Sequence, residues 1–217
     1  MNRILSVEAL EIIDSRLSEI GLSLSELETT SSEVAIFGSF GVDEDLSRKD
    51  VDIFVVSSEV ESRITKTVDL LCVSPASLTA QRWLESEVAG HIAKYGTWLK
   101  GAPSWVTHAT VSERTVSDKS HRIISHSKAL AKTQQRLGYR YIVKHLAILR
   151  RHLQRFHHLS NREFVPPTII LNAEWCSLSD HLVYLRDVIE TLSASDEEKD
   201  LVKALFDSLP ITITEFT

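Results

Sequence analysis

The sequence predicts an α+β fold, a β-sheet with flanking helices over residues 1–105, followed by an all-α helical bundle over residues 106–217. Three observations carry this. Short apolar runs bounded by turn residues sit at 33–37, 51–56 and 66–73, the lengths and compositions expected of strands. Beyond Pro103 the apolar residues recur at helical spacing instead, with no further strand-like run. The charge divides in the same place: residues 1–100 hold 9 Lys/Arg against 17 Asp/Glu, and residues 101–217 hold 15 against 13.

Residues 6–20 set Val7, Leu10, Ile13, Leu17 and Ile20 on one helical face, with Ser6 as N-cap and Gly21 as the stop. The serine- and threonine-rich stretch 22–32 is expected to be a connector. The first strand, 33–37, ends in a turn containing Gly38, Ser39 and Gly41, where glycine lets the backbone adopt positive φ and approach a ligand closely. Ten residues separate Ser39 from Asp50-Val51-Asp52 at the head of the second strand. Side chains alternate along a strand, so Asp50 and Asp52 present two carboxylates on one side. Taken singly, a Gly-Ser turn is compatible with a tight bend that binds nothing, and two strand-head acids with a solvated terminus. Together they describe a site for a hard cation, since adjacent carboxylates repel unless a cation compensates them, and Mg²⁺ favours one or two carboxylates plus substrate phosphates.

The third strand, 66–73, carries Asp69 within an apolar run, where an unpaired carboxylate is costly to bury and needs a partner. Pro75 then opens a helix expected to run through Val88. In the second half, helices are expected at 112–133, 134–158, 177–193 and 196–208, as a four-helix bundle, with 161–172 a loop interrupted by Pro166-Pro167 and Ser195/Glu198 a capping box. From Arg114 to Arg162 there are 12 Lys/Arg and one acid, Asp118. On the 134–158 helix, Arg136, Arg140, Lys144, Arg151 and Arg155 fall within about one quadrant at about 100° per residue, opposite Leu146, Leu149, Leu153 and Phe156. A cationic stripe without compensating acids suits an anionic partner, a nucleoside triphosphate or an RNA backbone, unless it serves the acidic first domain.

The remaining features are exclusions. Cys72 and Cys176 have no metal-ligand spacing and read as buried thiols. Acids in the N-terminal stretch occupy the place of a signal peptide's apolar core, and no run approaches the roughly 18 apolar residues of a membrane span. The expectation is a cytoplasmic protein with no membrane partner.

The Gly38-Ser39 turn followed at this spacing by Asp50-x-Asp52 resembles the signature of the DNA polymerase beta-like nucleotidyltransferase superfamily, in the form of a small nucleotidyltransferase domain with a C-terminal helical domain. The likeness is specific over 34–73 and weaker to about 101. It implies a mixed sheet and a metal-dependent enzyme that moves a nucleoside monophosphate from an NTP, most simply ATP, to an acceptor hydroxyl, releasing pyrophosphate. Asp69 would be the third carboxylate on a neighbouring strand. Asp50, Asp52 and Asp69 would then hold one or two Mg²⁺ ions, with Asp69 helping to deprotonate the acceptor. Gly38 and Ser39 would hold the β- and γ-phosphates, and Lys49, Arg136, Arg140 and Lys144 are further candidates for nucleotide contact. Where small antitoxin-like and antibiotic-modifying members often carry Ala-Arg-Gly, this chain has Gly41-Val42-Asp43, leaving Arg48 or Lys49 to replace the missing arginine.

The acceptor expected is tRNA or a protein, as in toxin–antitoxin systems. The alternatives are an aminoglycoside-type antibiotic, a catalytically silent nucleotide- or RNA-binding module, or a ribonuclease of the HEPN type using Arg140 and His145. Five residues on one helix set those two side chains about 140° apart, which is poor convergence.

Overall fold

The computed structural model describes residues 4–41, 50–101, 103–176 and 181–209. By contact the chain forms two compact units, residues 1–110 with 166–170, and residues 111–165 with 171–217.

The first unit is built on a five-stranded mixed sheet. Its strands are β1 (Glu33–Phe37), β2 (Val51–Val56), β3 (Arg63–Ile64), β4 (Val68–Val73) and β5 (Thr97–Lys100), in the order β3-β4-β2-β1-β5. β1 pairs antiparallel with β2 and β5, β3 antiparallel with β4, and β2 parallel with β4. The continuous apolar character of β2 reflects its central place, covered on both faces. On one face Val34, Ile36, Val51, Ile53, Val55, Val68 and Leu70 pack with Ala9, Ile13 and Leu17 of α1 (Val7–Ser18) and Leu27 of α2 (Leu24–Thr30). On the other, Ala35, Phe54, Val56 and Val73 pack with Ala89, Ile92 and Trp105. Phe54 centres an aromatic cluster there, stacked on Trp83 at 5.6 Å and edge-on to Trp98 and Trp105 at 6.0 and 5.7 Å.

Several boundaries differ from expectation. The stretch 22–32 contains α2, nucleated by a capping box in which Ser23 accepts from the Glu26 N–H and the Glu26 carboxylate accepts from the Ser23 N–H. The segment before the third strand is itself paired as β3, which shortens the 66–73 run to Val68–Val73. The helix expected from Pro75 to Val88 is three pieces: a 3-10 turn at Pro75–Ser77, α3 (Gln81–Leu84) and α4 (Glu87–Tyr95). Ser86 makes the break, because its hydroxyl accepts from the Ala89 N–H and so caps α4.

The second unit is helical. α5 (Glu113–Thr133), α6 (Tyr139–Ser160), α8 (His181–Glu190) and α9 (Asp196–Asp207) enclose a core that includes Ile123, Leu130, Leu146, Leu149, Leu153, Phe156, Leu185, Ile189, Val202 and Phe206. Each such fully buried side chain contributes about 1.5–3 kcal/mol relative to exposure. The expected capping box is present at Ser195 and Glu198. Two features correct the sequence reading. Residues 168–172, assigned to a loop, begin α7 (Thr168–Cys176), for Pro166-Pro167 stands at the helix entrance, where a missing N–H costs nothing. The helix expected at 134–158 starts only at Tyr139: Gln134–Arg136 is a 3-10 turn and Gly138 is the N-cap of α6. Arg136 is therefore not part of the α6 stripe. Among the described residues no helix is long and apolar enough to cross a membrane.

Candidate functional site

Strand register gathers the acids. Asp52 is opposite Asp69 in the parallel β2–β4 pair, and paired residues of neighbouring strands project to the same face. Asp50 precedes β2 and shares that face with Asp52 by the two-residue period. It is the face of Ala35, Phe54 and Val73, so the three carboxylates lie at one end of the layer that α4 covers. Asp50 is exposed, while Asp52 and Asp69 are half-buried. Burial, and then the charge of Asp50, push the Asp69 carboxyl above the usual carboxylate range.

The glycine turn closes against these acids. Gly38 has φ of 70°, a left-handed conformation, and a Cβ built there would collide with the Asp52 carboxylate. Only glycine lets the turn lie this close to β2. On its far side Phe40 is buried in the α1 face of the sheet, and the Thr97 hydroxyl donates to the Gly41 carbonyl at 3.4 Å. Ser39 is thus held between a glycine packed closely against Asp52 and an anchored aromatic ring.

Sequence reasoning missed His91. On α4, its Nε2 accepts a 3.2 Å hydrogen bond from the Gly38 N–H, and its ring lies edge-on to Phe37 at 6.0 Å, with Tyr95 at 5.5 Å. Phe37 is the register partner of Asp52. The only signal in the sequence is a histidine in the first covering helix after the acidic strands, and its partner lies 53 positions away.

The other candidates fall elsewhere. Lys49, Arg48 and the acids Asp43, Glu44 and Asp45 lie outside the described residues. Arg136, Arg140 and Lys144 belong to the second unit, where all three are exposed. His145 does not converge with Arg140; it packs against the rings of Tyr141 and His126.

Fit to a metal ion rests on Asp50, Asp52 and Asp69. Among the described residues no three His, Cys, Asp or Glu side chains are gathered closely enough to hold an ion by themselves. What the arrangement offers is strand-borne carboxylates on one face beside a glycine turn, a donor set that suits Mg²⁺ when substrate phosphate oxygens complete the shell.

The curated proteins contain no match to this chain. Among solved structures, a nucleotidyltransferase-like protein from Exiguobacterium sibiricum 255-15 is similar at 18% identity and a TM-score of 0.40, over 90% of this chain and 73% of that one. Spectinomycin adenyltransferase AAD(9) from Enterococcus faecialis, solved with ATP and spectinomycin, is similar at 14% identity and a TM-score of 0.44, over 94% and 98%. Both likenesses are too remote to bear on chemistry. The nucleotidyltransferase domain model, in contrast, matches residues 17–163, an interval that contains the Gly38 turn, all three aspartates and His91. With that match spanning more than half of its length, the chain belongs to the nucleotidyltransferase domain family.

Proposed function

We propose that the chain transfers a nucleoside monophosphate from an NTP, with ATP the expected donor, to a hydroxyl of an acceptor, in a reaction that depends on Mg²⁺. The observation that carries this is the alignment of Asp50, Asp52 and Asp69 on one sheet face against a glycine turn that only glycine can form. Asp50, Asp52 and Asp69 are the residues that would hold the ion, which when bound supplies charge neutralisation at the transferring phosphate and at the leaving pyrophosphate. The Gly38–Gly41 turn would offer the Ser39 hydroxyl and the backbone N–H groups beyond Gly38 to the phosphates. His91 accepts the Gly38 N–H and so sets the orientation of that turn. Asp69, whose affinity for a proton is raised by burial and by Asp50, is suited to take the proton of the attacking hydroxyl.

A macromolecular acceptor, RNA or protein, is favoured over a small hydroxylated antibiotic by the charge of the second unit. Residues 119–162 contain 11 Lys/Arg and no acid. A silent nucleotide-binding module is the weaker reading, because all three acids are present.

The test is incubation of the purified protein with each α-labelled NTP, Mg²⁺, and total RNA, a protein lysate or aminoglycosides. Label should enter one acceptor fraction and should be lost in Asp50→Ala/Asp52→Ala. Label in no fraction, or label that survives the double substitution, overturns the transferase reading.

A further inference from the structure

The α5–α6 hairpin tip combines two features that the transfer reaction at the acids does not use. One is a row of unneutralised cations. At about 100° and 1.5 Å per residue, Arg140, Lys144 and Arg151 lie within about 40° of one another along about 16 Å of α6. All three are exposed, as are Arg136 on the connection just before the helix and Lys132 in the last turn of α5. Lys128 and Arg162, at the margins, are paired with Glu198 and Glu113. Arg136, Arg140, Lys144 and Arg151 make no ion pair among the described residues.

The other feature is a ladder of rings rising to the surface beside that row. Tyr141 is 49% exposed, and its ring stands 4.2 Å from that of His145, tilted by 39°. His145 is stacked at 5.1 Å and 26° on His126 of α5, with the His145 Nδ1 and His126 Nε2 atoms 3.4 Å apart. His126 is in turn edge-on to His152 at 6.2 Å. Tyr139, in the first turn of α6, is 72% exposed. Tyr141 is therefore backed by His145 and still half exposed, about 60° around the helix from Lys144.

We infer that this hairpin tip is a docking platform for single-stranded nucleic acid, in which an unpaired base stacks on the Tyr141 ring, backed by the His145–His126 pair, and the backbone phosphates follow Arg140, Lys144 and Arg151. Each half of the arrangement narrows the partner. A cationic row of about 16 Å suits a chain of phosphates more than one phosphate group. An outward tyrosine face beside it rewards a base that is not already stacked in a duplex. An anionic membrane would call for protruding Trp, Phe or Leu, whereas the large exposed apolar side chains of the tip are the two tyrosines. The contacts are to phosphate and to an aromatic face, so they distinguish neither base identity nor ribose from deoxyribose. The binding stands independently of catalysis; its role as the docking surface for a nucleic-acid acceptor rests on the transfer reading above.

The test uses the full chain without NTP and with EDTA, which separates this proposal from the reaction. Binding of a fluorescein-labelled, mixed-sequence RNA single strand of about 20 nucleotides is followed by anisotropy from about 50 to 200 mM salt. Log affinity should fall linearly with log salt, with a slope of about −2 for three neutralised phosphates. Tyr141→Ala should weaken binding roughly tenfold at unchanged slope, while Tyr141→Phe, which keeps the ring, should bind as wild type. Lys144→Gln should weaken binding and make the slope shallower by about 0.7. Unlabelled single-stranded DNA of the same sequence should compete, and a blunt RNA duplex should compete poorly. Thermal melting of each variant confirms that it is folded. Absence of single-strand binding, equal competition by duplex, or an unchanged affinity in folded Tyr141→Ala overturns the proposal. So does association with phosphatidylserine vesicles without association with RNA. Transfer activity without RNA binding overturns this proposal alone, and RNA binding without transfer leaves it standing while the transferase reading falls.

Discussion

The acid end of the sheet and the hairpin tip of the helical unit both concentrate charge, but they are held in place by different physics. At the acid end, strand register fixes two carboxylates, with Asp50 just before the strand: Asp52 cannot move without disturbing Phe37 on one side and Asp69 on the other. Burial, and then the charge of Asp50, hold the Asp69 carboxyl above the usual carboxylate range. At the tip, the cations stand on one solvated face of α6 and keep their side-chain freedom, while the rings beneath them provide the rigidity. A site that must align reacting atoms benefits from the first construction. A surface that meets a flexible polyanion needs only the second.

The largest expected effect breaks the two apart. Asp52→Asn keeps the shape of β2 and removes one charge. Nucleotidyl transfer, measured with an α-labelled NTP, should fall by roughly 10²–10³-fold or more, the loss expected of a residue proposed to hold the ion. Binding of a labelled single-stranded RNA in EDTA should be unaltered. If both fall together, the regions are not independent and the contrast fails.

Next comes Gly38→Ala. A side chain at φ of 70° costs about 1 kcal/mol, and the new methyl must displace the Asp52 carboxylate. We expect a loss of about 1–3 kcal/mol, a fall in Tm of roughly 2–10 °C for a chain of this size, and near-complete loss of transfer. A variant that melts as wild type and remains active would show that the turn does not need its present approach to Asp52.

How legible these regions were follows from how local their causes are. The Gly-Ser turn and the Asp50/Asp52 pair could be placed because strand alternation acts over two residues. Asp69 needed more: nothing in its own segment says that it faces Asp52, and that register was supplied by the resemblance to a known family. His91 could not be found, since its role depends on a backbone N–H 53 positions away. The smaller errors share one origin, local punctuation assigned the wrong sense. Ser23 and Glu26 were absorbed into a polar connector although they form a capping box. Pro166-Pro167 was taken to interrupt a loop although it precedes a helix. Gly138, passed over inside a helical pattern, is where α6 begins, and it removes Arg136 from the stripe.

His91→Ala tests the missed contact at an intermediate scale. It leaves Gly38 N–H without its acceptor and empties space beside Phe37. A positioning role predicts a fall in transfer of roughly 10–100-fold, with KM for the NTP rising as the turn loses its orientation, and a stability loss of about 1 kcal/mol. A stability loss without any kinetic change would reduce His91 to a packing residue.

The smallest expected effect concerns pH, and its sign follows from the tip's own electrostatics. Burial, then His126, then Lys144 hold the His145 imidazole below the usual histidine range. Its folded pKa is therefore lower than its unfolded value of about 6.5. Between the two the unfolded chain binds more protons, so the contribution of His145 to stability is present above about pH 6.5 and is lost as pH falls through its folded pKa. His145 is partly exposed, which screens the effect, so a change in Tm of only a degree or two is expected. His145→Phe removes the proton while keeping a ring on His126, and should flatten the decline of Tm below pH 6.5. In metal-free protein the raised pKa of Asp69 works in the opposite sense: its stabilising contribution is present at low pH and is lost as pH rises through its folded pKa. Opposite slopes in His145→Phe and Asp69→Asn, measured by thermal melting from acid to neutral pH in EDTA, would show that each charged region sets its own pH dependence. Slopes of the same sign would mean that one global titration governs both.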